Sequence, residues 1–295
     1  MTTPQNPRSP SVKDTGAPPG LDEAVPRLLK KVSRFSPGLA AELAWWAFFW
    51  APRGMKVHPR QADVLARGQR SVVRSQGYKL VMWSWGQGPR ALLVHGWGGR
   101  ASQMTPLVDP LLLLGYQVVA IDGPAHGESS HRRSSVANFA DVVLDLGARD
   151  GGYVAAVTHS LGGPAVALAL TRGLALQKAV FISPPVDLEN FWHLFLKNIR
   201  VGPKHEGRLL ERAARSFGVQ RGELAMASTL TKAPVPFLVV HDEHDDKADF
   251  KLTESLLQQT STGTLFRTQG LGHNRILRDP EVLATVARFV GPAPR

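Results

Sequence analysis

Cysteine does not occur anywhere in the 295 residues. Its absence excludes a disulfide framework, a thiolate nucleophile and a cysteine-based metal site, and it suits a reducing compartment. Also missing is any apolar run of the roughly 20 residues that a membrane-spanning helix requires, so the chain reads as soluble. The first twenty residues carry no apolar block that could serve as a secretory signal. With five prolines, two glycines and five serines or threonines, they read as a disordered tail on a cytoplasmic protein.

Acidic residues are the scarcer charge, 24 against 35 Lys and Arg, for a formal net charge of +11. The excess is local: residues 1–80 hold 13 basic and 5 acidic side chains, and the rest of the chain holds 22 and 19. No recognised nucleic-acid-binding module accompanies it, so a nucleic-acid partner is not expected. There is no repeat of fixed period. Apolar residues, by contrast, make up 43% of the chain, enough for a sizeable core.

From Leu21 to Trp50 the pattern is helical, a basic segment followed after Ser36-Pro37 by the dense run LAAELAWWAFFW. Trp45, Trp46, Phe48, Phe49 and Trp50 point almost all round a helix, which favours burial against the rest of the protein. The basic flank Arg27, Lys30, Lys31 and Arg34 keeps a second reading open, contact with an anionic membrane surface. After Pro52 and Gly54, Ser71 to Arg74 and Tyr78 to Trp85 read as an edge hairpin. Beyond Pro89, short apolar runs, Ala91 to His95, Gln117 to Ile121, Tyr153 to Thr158, Ala179 to Ile182, Phe237 to His241 and Thr264 to Arg267, alternate with helix-length segments, the first of them Ala101 to Leu114. That alternation predicts an α/β fold, a mostly parallel central sheet flanked by helices. Val186 to Lys232 has no strand signal and reads as a small helical insertion. The chain thus divides into a tail (1–20), a helical extension (21–54) and a main domain (55–295) with a cap insertion at about 186–232.

Ligands of parallel sheets sit beyond the carboxyl ends of the strands, and the residues there are reactive in type. HGWGG, His95 to Gly99, follows one strand and can turn sharply with its amides presented. THSLGG, Thr158 to Gly163, runs directly from a strand into a helix, the setting that projects a serine hydroxyl beside a helix N-terminus. HDEHDD, His241 to Asp246, follows a later strand, and GLGH closes at His273. A lone HSLG would more often be a helix cap than a nucleophile; the ordered set of motifs reverses that weighting.

On these motifs the chain resembles the α/β-hydrolase fold family over roughly Ser71 to Val290. The elbow reads Thr158-His159-Ser160-Leu161-Gly162, with Thr158 where the family usually has Gly; DGPAHGESS, Asp122 to Ser130, is similar to the family's turn after the next strand. The resemblance implies Ser160 as nucleophile, His273 as base, and an oxyanion hole from the backbone N–H groups of Trp97 and Leu161. Overlaying the family's acid loop favours Asp245 as the acid, with Asp246 its nearest competitor and Asp242 at the glycine position. It also implies a small-molecule carboxylic ester or thioester substrate, an acyl-enzyme intermediate, and no cofactor or metal. A metal at His241 and His244 is the lesser reading of that loop. Phe191, Trp192 and Phe195 are either lining for an acyl pocket or the insertion's own core. A hydrolase-fold binding protein without catalysis and a peripheral membrane-associated protein are the alternative functions, and the sequence does not fix the oligomeric state.

Overall fold

The computed structural model describes residues 24–52, 56–149, 151–217, 220, 225–232 and 235–294, without the side chains of Phe191, Leu194, Pro203 and Phe217. The expected tail, 1–20, lies outside the described residues. An edge hairpin, β1 (Gln69–Ser75) and β2 (Tyr78–Trp85), turns through Gln76 and Gly77, both left-handed at φ 49° and 78°. Then come β3 (Arg90–Val94), β4 (Gln117–Ile121), β5 (Ala155–His159), β6 (Lys178–Ile182), β7 (Phe237–Asp242) and β8 (Gly263–Thr268). They form one sheet in the order β1-β2-β4-β3-β5-β6-β7-β8. β2 is antiparallel to both its neighbours and every other pairing is parallel.

The central strands are apolar because both faces are covered. On one side α5 (Val136–Gly147), α6 (Gly162–Thr171), α9 (Met226–Lys232) and α10 (Phe250–Gln258) bury Phe139, Val166, Phe181 and Leu256. On the other, α4 (Val108–Leu113) and α12 (Pro280–Val290) bury Leu111, Val282 and Val286. Side-chain caps set where several helices start: Ser135 accepts from Asn138 N at 3.2 Å and Asp249 from Lys251 N at 2.9 Å. α6 has no such cap and starts straight from β5. The chain moves from β3 outward to β4, then returns to lay β5 on the other side of β3. The strand order therefore reverses at β3, which opens a crevice above the carboxyl ends of β3 and β5.

Two elements differ from the sequence reading. The segment expected as one helix, Ala101 to Leu114, splits into a 3₁₀ turn, Ala101–Leu107, and α4, because Pro106 lacks the amide that would continue the ladder. An unanticipated helix, α3 (Pro59–Ala66), precedes the hairpin. His58 supplies its cap, Nδ1 accepting from Arg60 N at 3.3 Å while Gln61 Oε1 accepts from His58 N at 3.1 Å. A histidine in that role hides the start signal that Ser, Thr, Asn or Asp would give.

The N-terminal helices α1 (Ala24–Phe35) and α2 (Pro37–Phe48) pack with the insertion helices α7 (Leu188–Asn198) and α8 (Pro203–Phe217) around a third core. Ala40, Ala41, Ala44, Trp45 and Phe49 are buried there. The opposite face of α2 and its C-terminal end leave Leu39, Leu43, Trp46 and Trp50 exposed, Trp46 at 53%. The two readings of this aromatic run thus fall on different faces of one helix. Backbone bonds tie the extension to the loop before α5, Ala51 N donating to Arg132 O at 2.9 Å and Ser134 N to Phe49 O at 3.0 Å.

Candidate active site

Ser160 sits between β5 and α6 with φ +50°, a left-handed conformation that costs a non-glycine residue energy and persists only when its surroundings impose it. The surroundings are on hand. Ser160 N donates to Ile182 O at 2.9 Å, and Gly163 N donates to Ser160 O at 2.9 Å. A Cβ on Gly96 would lie 2.6 Å from Ser160 Cβ, and one on Gly162 would lie 2.6 Å from Val94 O, so only glycine lets the two loops close on each other. Thr158, in the family's customary glycine position, is fully buried and its hydroxyl donates to Val180 O at 3.0 Å. Its extra atoms are accommodated by the neighbouring strand.

His273 lies in the one-turn helix α11 (Gly272–Arg275) and is buried. Its Nδ1 reaches both oxygens of Asp245, at 3.0 and 2.8 Å, which places the proton on Nδ1 and leaves Nε2 unprotonated in the neutral ring. The Asp245 side chain is fully buried. Burial opposes its ionisation, but hydrogen bonds from His241, His273 and the Lys247 amide outweigh that and hold it far below the usual carboxylate range. Ser160 Oγ is not hydrogen-bonded to His273, the third link being open as is common without substrate.

The structure separates the three candidate aspartates. Asp246 is exposed. Asp242 is buried and acts as a latch, Oδ2 accepting from Thr268 Oγ1 and Leu271 N, both at 2.8 Å, and Oδ1 from His244 N at 3.0 Å. It thereby binds the loop that carries His273 to the end of β7, a role the sequence reading did not assign. A second brace is His159: its Nε2 donates to His273 O at 2.8 Å, and burial lowers its pKa to about 3, so it stays neutral. Both ring nitrogens of His241 are engaged, Nδ1 with Thr253 Oγ1 at 2.7 Å and Nε2 with Ala248 O at 3.2 Å and, more loosely, with Asp245. Among the described residues, no three His, Asp or Glu side chains are grouped to hold a metal ion.

The loops after β3 and β4 are joined by buried polar groups. His95, its pKa lowered to about 3 chiefly by burial, accepts Gly123 N at 2.9 Å through Nε2. Asp122 accepts Ala101 N at 2.8 Å and Glu128 N at 2.7 Å. His126 packs its ring against Trp97 at 4.8 Å and Phe139 at 5.2 Å, which is a structural role. Neither Trp97 N nor Leu161 N donates to a backbone carbonyl of the fold. Trp97 follows Gly96, whose loop closes on Ser160 so tightly that an added Cβ would clash, and Leu161 stands at the uncapped start of α6. Trp192 and Phe195 are both buried against Phe48, at 4.0 and 5.4 Å, in the third core between the insertion and the N-terminal helices. The Phe191 side chain lies outside the described residues.

Ser160 is thus left-handed between a strand and a helix at the switch point, and the buried Asp245–His273 pair is tied to the preceding residue, His159. The chain belongs to the alpha/beta hydrolase family, whose model matches residues 91–286. A search of curated proteins returns no match. Among solved structures it is similar to the Pyrococcus furiosus esterase Pf2001, at 17% identity over 82% of this chain and 97% of that one, TM-score 0.63. It is also similar to the naproxen esterase of Bacillus subtilis (17% identity, 79% and 95% covered, TM-score 0.59). A bacterial membrane phospholipase A is similar over 91% of this chain and 92% of its own, at 16% identity and TM-score 0.59. Likeness at these identities speaks to the fold. Among the described residues, no helix is long and apolar enough to cross a membrane.

Proposed function

We propose that this protein is a serine hydrolase that cleaves a small-molecule carboxylic ester or thioester through an acyl-enzyme. The observation that carries the reading is the buried Asp245–His273 pair beside the left-handed Ser160. His273 Nε2 takes the Ser160 proton as Oγ attacks the carbonyl carbon. The oxyanion that forms accepts from the Trp97 and Leu161 amides, and the N-terminal dipole of α6 adds to its stabilisation. Collapse breaks the bond to the leaving group, which departs with the proton from His273. Water then attacks the acyl-enzyme, His273 takes its proton, and the carboxylic acid leaves as Ser160 regains its hydrogen. Asp245 keeps the ring in the required tautomer and balances the imidazolium. No cofactor enters these steps.

The open Ser160–His273 link is the one feature that favours a hydrolase-fold binding protein. The two readings part on one experiment: labelling by an organophosphonate probe and turnover of a panel of acyl esters, on wild type and Ser160→Ala. The proposal expects labelling and turnover in the wild type, loss of both in Ser160→Ala, and an unchanged melting temperature. A wild type that neither labels nor turns over any ester would leave the binding protein standing.

A further inference from the structure

Away from Ser160, the N-terminal helices, α8 and the start of α5 line an open cavity of about 330 Å³. None of Ser160, Asp245, His273, Trp97 or Leu161 lines it. Two guanidinium groups do, each held on an aromatic plane: Arg133 lies 4.0 Å above the Trp46 ring and Arg212 lies 4.5 Å above Trp45. Arg212 has a counter-charge, Glu42, at 2.7 Å. Arg133 has none among the described residues, and its Nε is buried without a hydrogen-bond partner. Burial and the charge of Arg212 both make it harder to keep Arg133 protonated, so the two cations are close and incompletely compensated.

The loop between them carries the second observation. Ser134 is 2% exposed, lines the cavity, and its Oγ has no partner. Its position is fixed by the bond from Ser134 N to Phe49 O. Ser135, the next residue, is the N-cap of the 12-residue α5, so the positive end of that helix dipole opens on the same space. Buried donors without acceptors destabilise a fold unless something satisfies them. The two guanidinium groups and the helix N-terminus are positive, and the Ser134 hydroxyl is free to donate. They approach from a loop, a helix start and α8, which suits a tetrahedral anion with oxygens in several directions better than a planar carboxylate.

We infer that this cavity is a phosphate-binding site, in which Arg133, Arg212 and the Ser134 hydroxyl hold the phosphate of a free phosphomonoester or of a lipid headgroup.

The test uses the full chain. Inorganic phosphate is titrated at constant ionic strength and followed by calorimetry and by tryptophan fluorescence, which Trp45 and Trp46 report directly. In parallel, flotation is measured with phosphatidylcholine vesicles with and without phosphatidic acid. Saturable phosphate binding assigns the free anion; flotation that needs phosphatidic acid without phosphate binding assigns the lipid headgroup. In either arm, Arg133→Gln and Ser134→Ala should each weaken binding about tenfold. Ser216→Glu, at an exposed position on the cavity lining, puts a carboxylate beside the two cations. It should abolish binding without lowering the melting temperature, and it carries the test should Arg133→Gln misfold. A wild type that binds neither probe, or binding unchanged in Ser216→Glu, overturns the inference.

Discussion

Ser160 and Trp192 are both buried, yet their surroundings are held by different forces. Around Ser160 each position is set by a directed bond: Asp245 to His273, Asp242 to Leu271, His159 to the His273 carbonyl, His95 to Gly123. Around Trp192 the contacts are ring on ring, with Phe48 at 4.0 Å, Phe49 at 6.1 Å and Trp45 at 6.4 Å. Hydrogen bonds lose much of their value with small displacements, so they specify geometry. Apolar packing is roughly proportional to area and joins elements without specifying an atom. Chemistry is therefore sensitive to single polar atoms in the first region, and stability to lost volume in the second.

The largest effect expected is on turnover. Asp245→Asn should lower kcat/KM by about 10⁴-fold, the scale for a triad whose base is held in the wrong tautomer. Asp246→Asn should change little, and Asp242→Asn should fall between, its main cost being the weakened loop at Leu271. Steady-state kinetics on the three variants checks this. Equal effects at Asp245 and Asp246 would mean that directed bonding does not set the chemistry.

Next in size is Trp192→Ala, expected to cost ~3–5 kcal/mol as the third core loses a ring and gains a cavity. Denaturant unfolding measures the loss, and the fraction that remains folded should keep its kcat/KM for small esters. A variant of normal stability and impaired turnover would return Trp192 to the substrate pocket.

A pH scan sharpens the contrast from the other side. His95 and His159 have folded pKa values near 3, against about 6.5 in an unfolded chain, so the unfolded state binds more protons between those values. Stability should then fall as pH drops below about 6.5 and go on falling toward 3. His159→Gln should flatten the melting-temperature profile over that window by one histidine's share. An unchanged slope would mean that His159 is not held neutral. The smallest effect is expected on the exposed face of α2: Trp46→Ala should cost ~0.5–1 kcal/mol, the contact with Arg133 and little more.

Much of the fold is legible in the chain because strands covered on both faces must be apolar and the loops that end them must be small and polar. The β4 boundaries, Gln117 and Ile121, coincide with the apolar run in the sequence. α3 was not legible, because a histidine cap carries no sequence signal. For the site, local pattern points to Ser160 and His273, since an elbow and a terminal loop are properties of contiguous residues. Asp245 could be ranked but not separated from Asp246, because that choice depends on a bond across 28 positions of chain. Asp242 as a latch and His159 as a brace had no local signal at all.

What the sequence determined by itself is the order of the strands, the sharp turn at Ser160 and the absence of thiol chemistry, all consequences of residue type and near-neighbour spacing. What only the tertiary structure decided is which distant groups meet. Trp192 meets Phe48, α2 buries Trp45 and exposes Trp46, and Arg133 comes to the same cavity as Arg212. Periodicity can say that a helix has faces. Only packing, which sums weak contacts over the whole chain, says what each face meets.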